Sequence, residues 1–154
     1  MVLDRIIAKD RIKLDIADVD KWTAIEELAD LIAASVSGSD REVMLTDVLE
    51  REEKASTGIG KGIAIPHART AGVPTTVGAL GISREGIDFD SEDGKPCHLI
   101  FLIIAPQEES TKYLKALSAV AAIGKDPDRI KRLVEAGSAD EAMAILGEVE
   151  GIDY

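Results

Sequence analysis

Cysteine, aromatic residues and long apolar stretches are scarce in this chain of 154 residues. The single cysteine, Cys97, excludes an intrachain disulfide and a cysteine-rich zinc site, and it suits a reducing cytoplasm, where we expect the protein to reside. Aromatic residues make up only 3%, so the core must be built from aliphatic side chains. Charges at Asp4, Lys9, Asp10 and Arg11 interrupt the N-terminal segment, so we expect no secretory signal and no direct membrane insertion.

Positive charge is also in short supply. Lysine and arginine number 18 against 29 acidic residues, which gives a net charge of −11. A protein that binds a phosphate backbone needs a basic surface, so the composition argues against nucleic acid as a partner. It argues equally against docking on anionic lipid and favours a basic or mixed protein partner.

The common phosphate and hydrolase fingerprints are missing. Gly60-Lys61 is followed by Gly62, whereas a P-loop requires serine or threonine there. The spacing of Gly58, Gly60 and Gly62 does not match a dinucleotide-binding turn, and no Gly-x-Ser-x-Gly nucleophile elbow occurs. Nucleotide hydrolysis and α/β-hydrolase chemistry are therefore disfavoured.

The apolar pattern indicates an α/β fold: a mixed parallel and antiparallel central sheet flanked by helices, in a single domain over residues 1–154. The unbroken apolar run Leu99–Ile104 is typical of a central strand covered on both faces. Further strands are predicted over Ile12–Ile16, Ile63–Ile65 and Thr75–Ile82.

Helices are predicted on both sides of these strands. Asp20 caps the first, and a capping box at Ser39 and Glu42 starts the second. Others run from about Glu109 to Ile123, from Pro127, and from a capping box at Ser138 and Glu141. The residues expected to face the core are Trp22, Ile25, Ala29, Ile32 and Val36 in the first helix and Leu114, Leu117, Val120 and Ala121 in the later one.

His67 is the main candidate for chemistry, because it follows Pro66 at the end of a short strand and a loop with three alternating glycines. Such glycines expose backbone N–H groups that suit an anion, and the flanking Arg51 and Arg69 are candidates to neutralise phosphate oxygens. A neutral imidazole is a competent nucleophile toward phosphorus near pH 7. On spacing alone, a plain loop histidine is an equally good interpretation. His98 is predicted to be a strand-end histidine, and a metal pair with Cys97 is weakly supported, since adjacent strand residues point to opposite faces.

The segment from Ser56 to His67, Ser-Thr-Gly-Ile-Gly-Lys-Gly-Ile-Ala-Ile-Pro-His, resembles the active-site signature of the fructose/mannitol-type IIA domain of the bacterial phosphotransferase system. The nitrogen-regulatory IIA proteins share it. Arg51 before the loop, Asp93-Gly94-Lys95-Pro96 before the apolar strand, and Ala105-Pro106 after it agree in order. The resemblance covers nearly the whole chain and implies the same fold.

The resemblance implies that His67 accepts a phosphoryl group from an HPr-like carrier and passes it to a IIB domain or holds it as a regulatory signal. Arg51 matches the family's active-site arginine, and Ser56 and Thr57 match its loop as hydrogen-bond donors to phosphate. A turn in which these two hydroxyls bond the backbone is an equally good interpretation. No cofactor is implied. Tyr113 stands where the family commonly has a second histidine, which lowers the expected efficiency of transfer because a neutral phenol supplies no cation.

Two alternatives remain open at this point. One is a binding or regulatory module with a degenerate site that recognises a partner or anion without transfer. The other, weaker, is a metal-dependent enzyme that uses His67 and His98.

Overall fold

The computed structural model describes residues 2–17 and 19–148. Its helices are α1 (Leu3–Ile6), α2 (Lys21–Ser35), α3 (Arg41–Lys54), α4 (Ser110–Ile123), α5 (Pro127–Val134) and α6 (Ala139–Leu146). Its strands are β1 (Ile12–Lys13), β2 (Gly58–Gly60), β3 (Ile63–Ala64), β4 (His67–Arg69), β5 (Val77–Ile87) and β6 (Cys97–Ala105). Short 3-10 turns at Lys9–Arg11 and Gln107–Glu109 precede β1 and α4.

One sheet contains all these strands, in the order β1-β5-β6-β3-β2, and β4 also pairs with β6. β5 and β6 form a long antiparallel pair, whereas β3 and β4 lie parallel to β6 at successive positions along it. The expected mixed parallel and antiparallel sheet flanked by helices is therefore confirmed. β4 places His67 directly opposite Ile103, near the C-terminal end of the apolar strand β6.

The core lies in two layers, one on each face of the sheet. β6 alternates between them: Leu99, Phe101 and Ile103 pack toward α1, α4, α5 and α6, and the intervening residues pack toward α2 and α3. Every residue from Leu99 to Ala105 is 0% exposed. An apolar run with no polar alternation is what a strand covered on both faces requires, so the prediction for this run is confirmed.

Most predicted elements are present, but three begin or end elsewhere. Asp40, not Ser39, caps α3, because the Asp40 carboxylate accepts from the Val43 N–H while the Ser39 hydroxyl donates back to the Val36 carbonyl. The predicted strand at Ile12–Ile16 pairs regularly only over its first two residues, although the Ile16 N–H still reaches the Ile82 carbonyl at 2.8 Å.

Another difference is that β5 begins two residues later than predicted, at Val77, and continues to Ile87 through an irregularity after Ile82. The caps predicted at Asp20 and Ser138 are formed, and Asp126 caps the helix predicted from Pro127.

Two predicted helix faces are only partly right: Ile25, Ala29, Ile32 and Val120 are buried as expected, but three other residues are exposed. In α2 the inward position at the first turn belongs to Lys21, and Trp22, rotated about 100° from it, is 38% exposed. In α4 the buried face carries Tyr113, so the next residue, Leu114, is 45% exposed and Ala121 is also exposed. In both cases a residue with a polar end occupies the inward position because that end reaches a partner or a pocket.

Candidate active site

The C-terminal end of α3 and the start of β4 meet at one open pocket of about 290 Å³. Arg51 lies in the last turn of α3 and His67 is the first residue of β4, so the intervening glycine loop folds back to bring the two together. The pocket is lined by Asp47, Glu50, Arg51, Lys54, His67, Ala68, Arg69 and Tyr113. The residues expected to act on phosphate, other than the loop hydroxyls, therefore all line this one pocket: His67, Arg51, Arg69 and Tyr113.

The His67 ring is held in one tautomer. Its Nδ1 lies 2.6 Å from the Ile65 carbonyl oxygen. A carbonyl oxygen only accepts, so Nδ1 carries the proton and donates it. Nε2 therefore keeps its lone pair, and it is the ring nitrogen that can act as a nucleophile.

The surroundings also keep the ring neutral. Burial lowers the pKa of His67 below its ordinary value; the Ile65 hydrogen bond and the Glu52 carboxylate oppose this, and the Arg51 cation adds to it. A pKa below 6.5 leaves the imidazole uncharged near pH 7. His67 is therefore a neutral, oriented imidazole with one free nitrogen.

Cationic side chains outnumber acidic ones around this imidazole. Arg51, Lys54 and Arg69 line the pocket, against the two carboxylates of Asp47 and Glu50. Arg51 Nη1 donates a 2.9 Å hydrogen bond to the Ala55 carbonyl, and this bond uses only one of the guanidinium N–H groups. These cations make the pocket suitable for a group with several negatively charged oxygens, even though the whole chain is acidic.

Tyr113 lies between His67 and Arg69. Its ring centroid is 6.1 Å from that of His67 at an interplanar angle of 53°, and the Arg69 guanidinium carbon lies 5.4 Å from the Tyr113 ring. Tyr113 is only 6% exposed, and burial raises the pKa of its hydroxyl to about 12. It is therefore a neutral hydrogen-bond donor at the pocket and a packing residue at the same time.

Ser56 and Thr57 are not among the pocket-lining residues. The Ser56 hydroxyl donates to the Phe89 carbonyl and accepts from the Gly58 N–H, and the Thr57 hydroxyl donates to Glu52. Both hydroxyl protons are thus used within the protein. The expectation that these two residues donate to phosphate does not fit this arrangement, because local turn and helix-end acceptors have taken their protons.

His98 lies near the start of β6, as predicted for a strand-end histidine. Its Nδ1 lies 2.8 Å from the Ser83 carbonyl oxygen, on the far side of β6 from the buried Cys97 thiol. Within residues 2–17 and 19–148 no three histidine, cysteine or acidic side chains come together as a metal site would require. A metal enzyme that joins His67 to His98 therefore has no support in the described part of the chain.

The sequence reasoning did not assign any role to Lys54 or Glu52. Lys54 follows Arg51 by three residues, and this spacing alone places both on one helix face. Glu52 is 2% exposed beneath the pocket, and no sequence signal distinguishes it from the exposed Glu53 beside it.

Comparison with protein families matches residues 5–149 to the family described as "Phosphoenolpyruvate-dependent sugar phosphotransferase system, EIIA 2". The chain belongs to this family. The resemblance carried by the Ser56–His67 signature is thereby confirmed, and the protein is a IIA component of the phosphotransferase system.

Relatives of this IIA protein carry two kinds of name. It is 40% identical to "PTS system fructose-specific EIIA component" of Haloferax volcanii, with 90% of each chain covered. It is 30% identical to "Nitrogen regulatory protein" of Pseudomonas aeruginosa, with 96% of each covered. It is also 36% identical to the "PTS system fructose-specific EIIABC component" of Bacillus subtilis, of which it spans only 23%. Carrier and regulatory roles therefore both fit the family.

Solved structures agree. The crystal structure of the nitrogen regulatory protein IIA-Ntr from Neisseria meningitidis matches with a TM-score of 0.83 and 34% identity, covering 95% of this chain and 99% of that one. IIA mannitol from Escherichia coli matches with a TM-score of 0.77 at 23% identity, covering 90% and 97%, and at that identity it supports the fold. In the described residues, no helix is both long and apolar enough to cross a membrane.

Proposed function

We propose that Nε2 of His67 accepts a phosphoryl group from an HPr-like carrier protein and passes it to a IIB domain or holds it as a regulatory signal. The observation that supports this best is the pairing of a locked tautomer with a cationic pocket. Nδ1 donates to the Ile65 carbonyl at 2.6 Å, so the free lone pair is on Nε2. Arg51, Lys54 and Arg69 line the same pocket.

The transfer is a displacement at phosphorus. The Nε2 lone pair of His67 forms the new P–N bond while the P–N bond to the carrier's histidine breaks, and its electron pair returns to the carrier's ring nitrogen. The Nδ1 proton stays in place, so the phosphorylated ring carries positive charge and its hydrogen bond to Ile65 becomes charge-assisted. Arg51 and Arg69 offset the charge of the phosphoryl oxygens, with the Tyr113 hydroxyl as a further donor.

Protein partners follow from the same chemistry. A solved complex of enzyme IIA mannitol with phosphorylated enzyme IIB mannitol from Escherichia coli contains a chain of this fold, at 22% identity and a TM-score of 0.78. We propose a IIB-like acceptor for this chain as well, or a regulated target protein in its place. Ile59 is 47% exposed on β2, within the signature loop, and is an apolar contact for such a partner, whereas Ile63 is buried. The net charge of −11 favours a basic carrier face, and a cytoplasmic location suits exchange with such carriers.

Tyr113 is compatible with a regulatory form of this function. A phenol with a pKa of about 12 donates a hydrogen bond but supplies no positive charge to the phosphoryl group. A weaker phosphoryl site suits a protein that reports its phosphorylation state to a target as well as one that passes the group on. The alternative, a module that binds without transfer, requires that His67 remain unmodified in the presence of a competent donor.

The test is the intact mass of the protein after incubation with phosphoenolpyruvate, Enzyme I and HPr. We expect the mass of one added phosphoryl group, lost on mild acid treatment as a phosphohistidine requires. His67→Ala should abolish the addition, and His98→Ala, the matched control at the other histidine, should leave it unchanged. Labelling of His67→Ala at the wild-type stoichiometry would overturn the proposal.

A further inference from the structure

A buried ion pair lies behind the pocket and belongs to no role described above. The Glu52 side chain is 0% exposed, and its Oε2 accepts from Lys21 Nζ at 3.2 Å. Lys21 is itself 8% exposed and is the first residue of α2. A cation at a helix N-terminus is disfavoured by the helix dipole, and a buried lysine needs a partner. Lys21 has two: the buried Glu52 carboxylate and the largely exposed Asp90 carboxylate, whose Oδ2 lies 3.3 Å from Nζ.

The second set of Glu52 contacts reaches the signature loop. Oε2 also accepts from the Thr57 N–H at 3.0 Å, and Oε1 accepts from the Thr57 hydroxyl. The Glu52 carboxylate thus accepts from both the backbone N–H and the hydroxyl of Thr57, which lies five residues later, just after the end of α3. Because Glu52 is buried, these bonds do not exchange freely with water, and the loop start is fixed against the end of α3.

From Thr57 the contacts continue to the His67 ring. The Thr57 carbonyl accepts from the Ile65 N–H at 3.0 Å, and the Ile65 carbonyl accepts from His67 Nδ1 at 2.6 Å. Ile65 is therefore held on one side by Thr57 and holds the imidazole on the other. A shift of Thr57 moves the carbonyl that selects the His67 tautomer.

We propose that Glu52, with Lys21 as its counter-ion, is a positioning residue for phosphoryl transfer: through Thr57 and Ile65 it holds His67 with Nδ1 protonated and Nε2 directed to the incoming phosphorus. Glu52 does not line the pocket, so it touches neither the carrier nor the phosphoryl group. The inference rests on the proposed transfer at His67, but the ring geometry that it invokes exists in the unphosphorylated protein and is measured there.

Glu52→Gln is the main variant, since it keeps the shape and removes the charge. Lys21 would then keep only the exposed Asp90 as its counter-ion, so the variant Lys21→Met/Glu52→Gln is prepared as well. Replacing a buried pair with neutral groups of similar shape often leaves stability unchanged. Glu53→Gln is the matched control, because it is the same substitution one residue along at an exposed position. Thermal unfolding shows that each variant is folded at the assay temperature.

The first readout is nitrogen NMR of the His67 ring in the protein alone. We expect the wild type and Glu53→Gln to show the Nδ1–H tautomer, and both Glu52 variants to show a mixture with the Nε2–H form. The second readout is single-turnover labelling by phosphorylated HPr. For the Glu52 variants we expect the labelling rate at saturating phosphorylated HPr to fall roughly tenfold to a hundredfold. The HPr concentration that gives half of this rate should be unchanged, because Glu52 does not contact the carrier.

The outcomes separate the two proposals. Wild-type ring signals and a wild-type saturating rate in Lys21→Met/Glu52→Gln would overturn the positioning role while leaving transfer at His67 intact. Absence of labelling in the wild type would overturn the proposed transfer, and the ring signals would then still decide whether Glu52 sets the tautomer. A loss confined to half-saturation would also contradict the positioning role, since it would indicate an altered docking surface.

Discussion

Replacing Arg51 with alanine changes both the charge at the pocket and the nucleophilicity of His67. The Arg51 cation is one cause of the lowered pKa of His67, so its removal raises that pKa and leaves more of the imidazole protonated at mildly acidic pH. A protonated Nε2 has no lone pair to attack phosphorus. The acid limb of the labelling rate should therefore move to higher pH in Arg51→Ala.

The larger effect is on the transferred group itself. A hydrogen bond to a charged partner contributes roughly 1.5–3 kcal/mol, so losing the Arg51 contact to phosphate should slow labelling about tenfold to a hundredfold. The lost hydrogen bond to the Ala55 carbonyl lies at an exposed helix end, so its loss should lower the free energy of unfolding by only about 1 kcal/mol. The protein should thus remain folded while transfer is impaired.

The assay is the initial rate of labelling by phosphorylated HPr between pH 5.5 and 8. Arg51→Lys keeps the charge, so it should retain the wild-type acid limb and lose only part of the rate, because lysine lacks the planar fork. Arg41→Ala is the control: Arg41 begins the same helix, about 15 Å away along its axis, and pairs with Asp30 and Glu26. A wild-type rate and an unmoved acid limb in Arg51→Ala would refute the reasoning.

Three further predictions concern other parts of the fold. Tyr113→His should lengthen the lifetime of phosphorylated His67 and Tyr113→Phe should shorten it slightly, as followed by intact mass over time. Thr75 and Thr76 hold the Glu109 carboxylate and lower its pKa to about 2, so Glu109→Gln should lower the melting temperature at neutral pH, and the difference from wild type should vanish as pH falls toward 2. A Cβ at Gly72 would lie 2.7 Å from the Met44 backbone nitrogen, so Gly72→Ala should cost about 1–3 kcal/mol in urea unfolding, whereas Gly137→Ala should cost little.

Much of this fold was predictable because its strongest signals are local. The run Leu99–Ile104 has no polar alternation, and only a strand covered on both faces explains that. The contiguous signature ending at His67 likewise needs no long-range information. The pairing of β4 with β6 was not predictable in register, since three residues carry no pattern that selects one partner position over another.

Helix faces were harder where amphipathic side chains take inward positions. A hydrophobicity pattern ranks Trp22 above Lys21 and Leu114 above Tyr113, yet the structure buries the second member of each pair. Both Lys21 and Tyr113 have a long apolar body and a polar end, so each gains from burial when the end finds a site. The periodicity and most of the inward positions were right, and the exceptions were decided by partners distant in sequence.

Glu52 shows most clearly what a sequence cannot supply at this site. It stands in Arg51-Glu52-Glu53-Lys54, a run that normally indicates a solvated helix end. Helical rotation separates the run: Arg51 and Lys54 line the pocket, Glu53 is exposed, and Glu52 turns inward. That inward position is tolerable because Lys21, 31 residues earlier on another helix, supplies the opposite charge, and because both Thr57 donors bond the carboxylate oxygens. A buried carboxylate is costly without such partners, and the hydrophobicity pattern carries no signal for either of them.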